Sequence, residues 1–417
     1  MSKKRVVITG MGAITPIGNN LKEYNQSLFN GISGCKPITR FDASKFKTKF
    51  ACELKNYDPL NYFDKKESRK MDAFAQYGLI VAEEALKDSE IDLNKIDKNK
   101  FGVIWGSGVG GIETFQNELI NFSENNKNPR FNPFFIPKLI PDICPGLISI
   151  KYGLKGPNFA TVSACASASN AIIDSFNYIK SGTADIIITG GSEAAVNETG
   201  VGGFNALKAL SKRNDSPETA SRPFDKKRDG FVLGEGGGGL ILENYDHAIK
   251  RNAKIYAEII GFGMSCDAHH ITAPHPDGEG ARLVMNNAIN NANIKKEEVD
   301  YINVHGTSTP LGDKSEIFAI ENVFNEHAYN VNISSTKSMT GHLLGAAGAI
   351  ESIASIISIN EGSVPPTINH FNNDEEFSPK LNLTLNKIQK RDINIAISNT
   401  FGFGGHNTSI IFKKINL

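Results

Sequence analysis

Short runs of apolar residues recur along the chain, and most of them end in glycine or polar turn residues. Examples are RVVIT at residues 5–9, ADIIIT at 184–189 and YINV at 301–304. A continuous apolar run of this length is typical of a strand that is buried on both faces. Helical patterns often follow these runs. The sequence therefore predicts an α/β fold with buried strands.

Helical spacing is clear in two segments of the N-terminal part. EYNQSLFNGISG (23–34) ends at a glycine, and MDAFAQYGLIVAEEALKDS (71–89) has apolar residues three and four apart. Residues 121–145 are instead rich in Asn, Pro and Phe, without a sustained period. We expect an irregular excursion there that caps the core.

Two places share a stronger pattern, in which an apolar strand ends at a reactive residue and a helix of small residues follows. In FATVSACASASNAII the reactive residue is Cys165, and in NISSTKSMTGHLLGAAGA it is His342, each predicted at the start of its helix. A duplicated α/β core with related halves would explain this likeness. The two sequences are too different to establish an internal repeat by themselves.

The composition and net charge of the chain argue against several classes of function. The chain has 417 residues, 40% of them hydrophobic, and its 45 basic and 45 acidic residues cancel. No overall field therefore attracts nucleic acid or an acidic lipid surface, and an acidic partner would need a local basic patch. We find no apolar run long enough for a membrane span and no secretory signal. We expect a cytoplasmic protein.

The cysteines are odd in number and contain no CxxC pair, so neither a disulfide framework nor a zinc ribbon is indicated. They are Cys35, Cys52, Cys144, Cys165 and Cys266. At a helix N-terminus, the backbone amides and the helix dipole would lower the pKa of Cys165 and make it a nucleophile. The alternative is a small buried hydrophobic residue.

His305 follows the apolar run YINV, at a strand end where α/β proteins collect ligand sites. The spacing of Asp313 and Glu316 is that of a helix cap, which predicts a helix beginning just after them. For His305 and His342 alike, a structural hydrogen-bonding role is the alternative to catalysis.

A metal site made from one cysteine and two histidines is a lesser alternative, because their separations match no known ligand spacing. His269 and His270, near Cys266, point to opposite faces if they lie in a strand, so we expect no metal ligands there.

Two further features suggest supporting groups. Glu351 lies in the apolar stretch LLGAAGAIESIASII and needs a partner, for which Lys337 is the candidate. The glycine-rich turn in SNTFGFGGHN would let a backbone amide near Phe403 approach a substrate oxygen, although a plain hairpin would look similar. The run GEGGGG from residue 234 is followed by strand-like residues, so it is not a dinucleotide loop.

Four motifs in order carry a family resemblance: TVSACASAS, VHGTSTPLGDKSE, KSMTGHLLGAAGA and NTFGFGGHN. Together they resemble the β-ketoacyl-[acyl-carrier-protein] synthases of fatty-acid synthesis, and the type II enzymes most of all. The likeness extends over essentially the whole chain. It implies the thiolase-like fold, a duplicated five-layer αβαβα architecture, with one half at 1–255 and the other at 256–417, and usually a homodimer.

The resemblance also implies the reaction. An acyl group passes from its carrier to Cys165. Malonyl-carrier then loses CO₂ with the help of His305 and His342, and the resulting carbanion attacks the acyl-enzyme. No cofactor and no metal are implied, because the phosphopantetheine arm belongs to the acyl carrier protein.

Further residues take their roles from the same resemblance. The amides of Cys165 and Phe403 would form an oxyanion hole, with Phe403 also gating the acyl pocket and Lys337 and Glu351 in support. The remaining positions are Thr307, Thr309 and Thr272 for substrate binding, Val109 and Phe204 for the acyl pocket, and Arg69, Lys70 and Lys208 for carrier docking. A solvated charged face is the alternative for these last three.

Rival interpretations share part of this pattern. A polyketide ketosynthase would use the same chemistry, and a non-catalytic chain-length factor would keep the fold without the nucleophile. A degradative thiolase would have a second cysteine near the C-terminal glycine turn, where this chain has none.

Overall fold

The structure, a computed structural model, describes residues 4–415. Its strands are β1 (Val6–Ile14), β2 (Lys36–Pro37), β3 (Phe50–Ala51), β4 (Phe101–Gly106), β5 (Asn158–Thr161), β6 (Ile186–Glu193), β7 (Gly236–Asn244), β8 (Ala257–Cys266), β9 (Tyr301–Asn303), β10 (Asn332–Ser334), β11 (Ser363–Val364), β12 (Gln389–Lys390), β13 (Ile395–Gly402) and β14 (His406–Lys413).

The helices are α1 (Leu21–Phe29), α2 (Lys65–Ser68), α3 (Ala73–Asp88), α4 (Ile112–Glu124), α5 (Phe135–Leu139), α6 (Ile143–Tyr152), α7 (Ser167–Lys180), α8 (Glu198–Ala206), α9 (Tyr245–Lys250), α10 (Glu279–Ala292), α11 (Pro310–Phe324), α12 (Lys337–Thr340) and α13 (Ala347–Glu361). Among the described residues, no helix has the length and apolar character that crossing a membrane would require. The two helices predicted in the N-terminal part are α1 and α3.

Ten of the strands form one mixed sheet in the order β10-β9-β13-β14-β8-β1-β7-β6-β4-β5. Its two halves meet where β1 pairs antiparallel with β8. In the N-terminal half β4 lies parallel to β5 and β6, and β7 runs antiparallel to β6 and β1. In the C-terminal half β9 lies parallel to β10 and β13, and β14 runs antiparallel to β13 and β8. Strand order and direction thus repeat, which confirms the duplicated core.

Neighbouring residues of one strand belong to different layers. In β6, Ile187 packs in the core around the central helices α7 and α13, whereas Ile186 and Ile188 pack in the core around α3 and α6. Helices α10 and α11 cover the outer face of the other half of the sheet. This is the αβαβα arrangement. The apolar runs are continuous because helices cover both faces of the strands.

The segment predicted as an irregular cap holds the end of α4, all of α5 and the start of α6, with no helix or strand at 125–134. Its phenylalanines stack on one another: the ring centroids lie 5.4 Å apart for Phe122 and Phe131, and 5.6 Å apart for Phe131 and Phe135. Phe131 is nevertheless 41% exposed. The prediction of an irregular excursion is therefore confirmed for the middle of the segment.

The start of α7 lies directly on the end of β4, and Gly106 makes this approach possible. A Cβ atom on Gly106 would lie 2.4 Å from the backbone nitrogen of Ala168 and 2.5 Å from the backbone carbon of Ser167. These are backbone atoms, so relief would require the helix itself to move.

We predict that Gly106→Ala destabilises the protein by about 1–3 kcal/mol, as overpacking of a close-packed interior does. Gly203→Ala is the matched control, because Gly203 lies within α8 and a Cβ there meets nothing within 4 Å. Removing a helix-interior glycine should be neutral or stabilising. Thermal denaturation of both variants at one protein concentration measures the difference, and equal melting temperatures would contradict the packing argument.

Candidate active site

A single cavity of about 450 Å³ combines residues from both halves of the sheet. Its wall contains these residues singled out from the sequence: Val109, Cys165, Phe204, Lys208, Thr272, His305, Thr307, Thr309, His342 and Phe403. Lys337 and Glu351 are buried. Arg69 and Lys70 line a separate surface groove.

Cys165 occupies a sharp turn between β5 and α7. Ala164 has φ = 50°, an uncommon left-handed conformation for a residue with a side chain. The Ser167 hydroxyl holds this turn: it accepts from Ser163 N at 2.9 Å and donates to Ala164 O at 2.7 Å. Cys165 therefore stands just before Ala166, the N-cap of α7, as the sequence predicted.

His342 does not begin a helix, and that prediction is wrong. Its N–H donates to Val232 O at 2.8 Å, and its carbonyl accepts from Gly234 N at 2.9 Å. A 3₁₀ turn follows at Leu344–Ala346, and α13 starts only at Ala347. Pairing with a distant segment holds the His342 backbone extended, and this is why local periodicity did not reveal it.

The cap predicted at Asp313 and Glu316 is also wrong, because α11 begins before both residues. Their carboxylates reach back from inside the helix. Glu316 accepts from His305 N at 2.9 Å and Gly306 N at 2.8 Å, and Asp313 accepts from Ser308 N at 3.0 Å. These buried acceptors fix the turn that carries His305 at the end of β9.

The turns bring one thiol and two imidazoles together. The Cys165 Sγ atom lies 3.0 Å from His342 Nε2, and the ring centroids of His305 and His342 lie 5.3 Å apart. A thiol next to an imidazole is the arrangement of an activated cysteine nucleophile.

Burial, rather than the helix, dominates the acidity of the thiol. A helix N-terminus stabilises an anion by at most about 2 kcal/mol, which would lower the pKa of a thiol by about 1.5. Burial raises the pKa of Cys165 from its ordinary 9.0 to about 12, although Lys337 and the Phe403 N–H act in the opposite direction. The lowered pKa expected from the sequence is therefore wrong. The thiol stays protonated until it transfers its proton to a base.

Both histidines are neutral for a related reason. Burial, followed by the charge of Lys337, holds the pKa of His305 and of His342 well below the ordinary value of 6.5. Lys337 forms the expected ion pair with Glu351, and both side chains are buried. Burial raises the pKa of Glu351 to about 7 against the opposing charge of Lys337. Neutral imidazoles can donate or accept a hydrogen bond near pH 7.

The glycine-rich turn between β13 and β14 closes the site. The Phe403 N–H lies beside the Cys165 thiol and acts to lower its pKa. A Cβ on Gly402 would lie 2.8 Å from Ser163 O and 3.2 Å from Cys165 N, so glycine lets the turn approach the nucleophile. The Phe403 ring lies 6.5 Å from that of Phe204. A backbone donor and an aromatic wall thus meet beside Cys165.

Sequence reasoning missed one buried carboxylate of this site, Glu193. It accepts hydrogen bonds from Gly108 N at 2.7 Å, Gly345 N at 2.9 Å and Val109 N at 3.2 Å. Glu193 therefore ties the pocket wall at Val109 to the turn that follows His342. The sequence did contain a sign of it, because Glu193 is an acidic residue at the end of the apolar strand β6.

Two stretches of the chain match a known protein family. Residues 3–248 match the family described as the N-terminal domain of beta-ketoacyl synthase, and residues 256–371 match the C-terminal domain. The chain belongs to the β-ketoacyl synthase family.

Two relatives are named 3-oxoacyl-[acyl-carrier-protein] synthase 2. One, from Synechocystis, is 47% identical over 99% of both chains. The other, from Staphylococcus aureus strain COL, is 49% identical over 99% of this chain and 98% of its own. A solved type II polyketide ketosynthase, in complex with its acyl-carrier protein, has a TM-score of 0.90 at 31% identity, with both chains fully covered. Identity is thus higher to the synthase 2 enzymes than to this polyketide enzyme.

Two of the expected substrate positions of this β-ketoacyl synthase lie together. The hydroxyls of Thr307 and Thr309 are 3.1 Å apart on the cavity wall, and Thr272 lines the same wall. Val109 is 38% exposed and lines the same cavity. Polar groups on a largely apolar wall are what binding a flexible polar arm requires.

The thiol and the two imidazoles also form a possible metal-ligand set, since their donor atoms all lie within 4.8 Å of one another. A divalent cation there would be repelled by Lys337, whose charge is already felt by all three groups. The electrostatics therefore favour proton transfer over metal binding.

We predict that the rate of Cys165 alkylation by iodoacetamide rises about tenfold per pH unit between pH 6 and 9, because only the thiolate reacts and its pKa is about 12. Peptide mapping separates Cys165 from Cys266, which is the exposed thiol. A plateau in the rate near neutral pH would reveal a thiolate–imidazolium pair and contradict the burial argument.

Proposed function

We propose that this chain catalyses chain elongation in fatty-acid synthesis. An acyl group held on Cys165 condenses with malonyl-acyl-carrier protein, giving 3-oxoacyl-carrier and CO₂. The main support is one geometric observation: the Cys165 thiol lies 3.0 Å from His342, with His305 beside it in a single cavity. The names of the synthase 2 relatives describe the same reaction.

In the first half-reaction, the Cys165 sulfur attacks the thioester carbonyl of the acyl-carrier. Its proton passes to His342 Nε2 as the bond forms, since the free thiolate is too costly in this buried position. The amides of Cys165 and Phe403 stabilise the oxyanion of the tetrahedral intermediate. The carrier thiol leaves with the proton, and the acyl group remains on sulfur.

In the second half-reaction, malonyl-carrier places its thioester oxygen between the two imidazoles. Neutral His305 and His342 donate hydrogen bonds to this oxygen as the carboxylate leaves as CO₂ and an enolate forms. For His342 this requires the tautomer with its proton on Nε2, so the ring exchanges tautomers between the two half-reactions. The enolate carbon attacks the acyl carbonyl, and the bond from this carbonyl to the Cys165 sulfur breaks. Cys165 leaves as the thiol, because one proton from solvent reaches its sulfur through His342. Lys337 and Glu351 support the site by keeping a buried positive charge beside it, which favours the developing anion.

The cavity wall suggests how substrates lie. Thr307, Thr309 and Thr272 bind the pantetheine arm, and Val109 and Phe204 border the acyl chain. Phe403 acts as the gate between them, because its ring faces Phe204 while its N–H faces the nucleophile.

The partner is an acyl carrier protein, which also brings the phosphopantetheine, so no resident cofactor is needed. A related ketosynthase is known in complex with such a carrier. The groove around Arg69 and Lys70 is strongly basic, and its lining includes Lys65, Lys66, Arg69, Lys70 and Arg130. Lys208 is exposed at the wall of the catalytic cavity. These positions suit a carrier with an acidic surface.

A homodimer is supported by the two edges of the sheet. At one edge, β10 is covered because Asn332 bridges to Asn382. At the other edge, β5 is only partly buried, and Val162 and Ile150 beside it are 62% and 78% exposed. An open strand edge with apolar neighbours is suited to pairing with a second copy.

The domain division at 255/256 is supported by the sheet, because β1 to β7 and β8 to β14 each complete one half. We place the enzyme in the cytoplasm. All five cysteines are free thiols, as expected in a reducing compartment.

Mass spectrometry after incubation with acyl-carrier tests the mechanism directly. We predict one acyl adduct, on Cys165. Cys165→Gln should lose the adduct and lower condensation by more than about a thousandfold, because the covalent intermediate is lost. It should still release CO₂ from malonyl-carrier, since both histidines remain. Cys266→Ser is the control and should behave like the wild type. An adduct on any other residue would refute the assignment.

Charge reversal tests the docking positions. We predict that Arg69→Glu with Lys70→Glu raises the KM for acyl-carrier by about tenfold, because it replaces attraction by repulsion. Activity on a short thioester analogue should not change. Lys387→Glu with Lys390→Glu, at two exposed positions of the C-terminal half, is the charge-matched control. An equal loss on both substrates would show that the change damages the site rather than docking.

A further inference from the structure

A pair of thiols, Cys35 and Cys52, lies behind the turn that carries His342. Strands β2 and β3 pair antiparallel, with Lys36 opposite Ala51 and Pro37 opposite Phe50. One step further along this register places Cys35 opposite Cys52. Directly opposed residues in antiparallel strands have the Cα separation that a disulfide accepts.

Both cysteines lie in one small buried cluster. Cys35 is 1% exposed and Cys52 is fully buried, and they share a small core with Phe50, Ala220 and Val232. The neighbouring Cys52 side chain, together with burial, raises the pKa of the Cys35 thiol far above its ordinary value. Both residues are free thiols.

The pair is joined to the His342 turn by direct contacts. Cys52 N donates to Leu233 O at 2.8 Å, and Leu233 is itself the bridge partner of His342. A Cβ on Gly341 would lie 2.8 Å from Cys52 Sγ, so this sulfur rests on the residue before His342. On the other side, Gly34 N donates to Met339 O at 2.8 Å. Both cysteines therefore border the segment 339–342.

We propose that Cys35 and Cys52 form a reversible disulfide that displaces the His342 turn and lowers the activity of the enzyme. The inference rests on the role of His342 in the proposed function. The oxidant is a low-molecular-weight disulfide. The Cys35 thiolate attacks it and releases one small thiol, and the Cys52 thiolate then attacks the mixed disulfide and releases the second. Two electrons pass to the oxidant, and the two protons end on the released thiols.

Cys35 is the first to react because of its position. The next residues, Lys36 and Pro37, are exposed, and β2 and β3 have only two residues each. A hairpin this short opens locally at low cost, whereas the buried thiols are inert while it is closed. The crosslink should therefore form slowly, and faster in urea too dilute to unfold the protein.

Bonded sulfurs lie about 2 Å apart, so we expect the crosslink to shift Cys52 Sγ from its place against Gly341. The contact that supports the His342 turn then changes. A catalytic group misplaced by about 1 Å can cost about a hundredfold in rate. We expect a loss of at least about tenfold.

The test uses Cys165→Gln combined with Cys266→Ser, so that neither the nucleophile nor the exposed thiol can react. Decarboxylation of malonyl-carrier then reports on the histidines alone. After treatment with oxidised glutathione, we expect a Cys35–Cys52 crosslinked peptide, lighter by two hydrogen atoms, and a roughly tenfold slower release of CO₂. Dithiothreitol should restore both. Adding Cys35→Ala or Cys52→Ala should abolish the crosslink and the response to oxidant.

Each outcome decides the inference. No crosslink, even in dilute urea, overturns it, and so does a crosslink that leaves the rate of CO₂ release unchanged. If the reduced protein releases no CO₂ from malonyl-carrier, the proposed role of the histidines is wrong. Peptide mapping then still shows whether the crosslink forms. Each alanine substitution removes one sulfur atom. If these variants fold poorly, the Cys165→Gln, Cys266→Ser protein compared with and without dithiothreitol gives the same answer.

Discussion

Close backbone packing at a few glycines is the constraint on which the rest of this enzyme depends. Gly106 allows the start of α7 to lie on β4, and Gly402 allows the C-terminal turn to lie on the Cys165 turn. Gly348 similarly allows α13 to approach α7 at Ser169. A side chain at Gly402 or Gly348 would push the two halves apart, and one at Gly106 would push α7 away from β4. The catalytic groups come from both halves, so their distances are set by these contacts.

The same close packing determines the chemistry. Excluding water keeps the Cys165 thiol protonated and both imidazoles neutral, because charge is costly in a buried site. Within the ion pair of Lys337 and Glu351, the positive charge of Lys337 acts more strongly on Cys165 than the negative charge of Glu351 does. A site of this kind does not store a thiolate. It forms charge only during the reaction, where backbone amides and imidazoles stabilise it.

The duplicated topology explains why a cysteine and a histidine occupy comparable turns. Cys165 follows β5, the edge strand of one half, and His342 follows β10, the corresponding strand of the other. Each is followed by one of the two central helices, α7 and α13. The buried carboxylates Glu193 and Glu316 likewise hold turns at the ends of the strands β4 and β9. One architectural unit used twice thus supplies the nucleophile and the groups that act on the second substrate.

Sequence alone determined what depends on neighbouring residues and on motif chemistry. Apolar runs predicted the buried strands, and a pattern of small residues predicted α7. Four motifs predicted the family and the identity of the reactive groups. Local spacing failed for His342 and for the pair Asp313 and Glu316, because distant partners decide their conformations. The prediction of a lowered pKa for Cys165 failed for the same reason. Burial is a property of all surrounding elements, and only the tertiary structure shows that it outweighs the helix dipole.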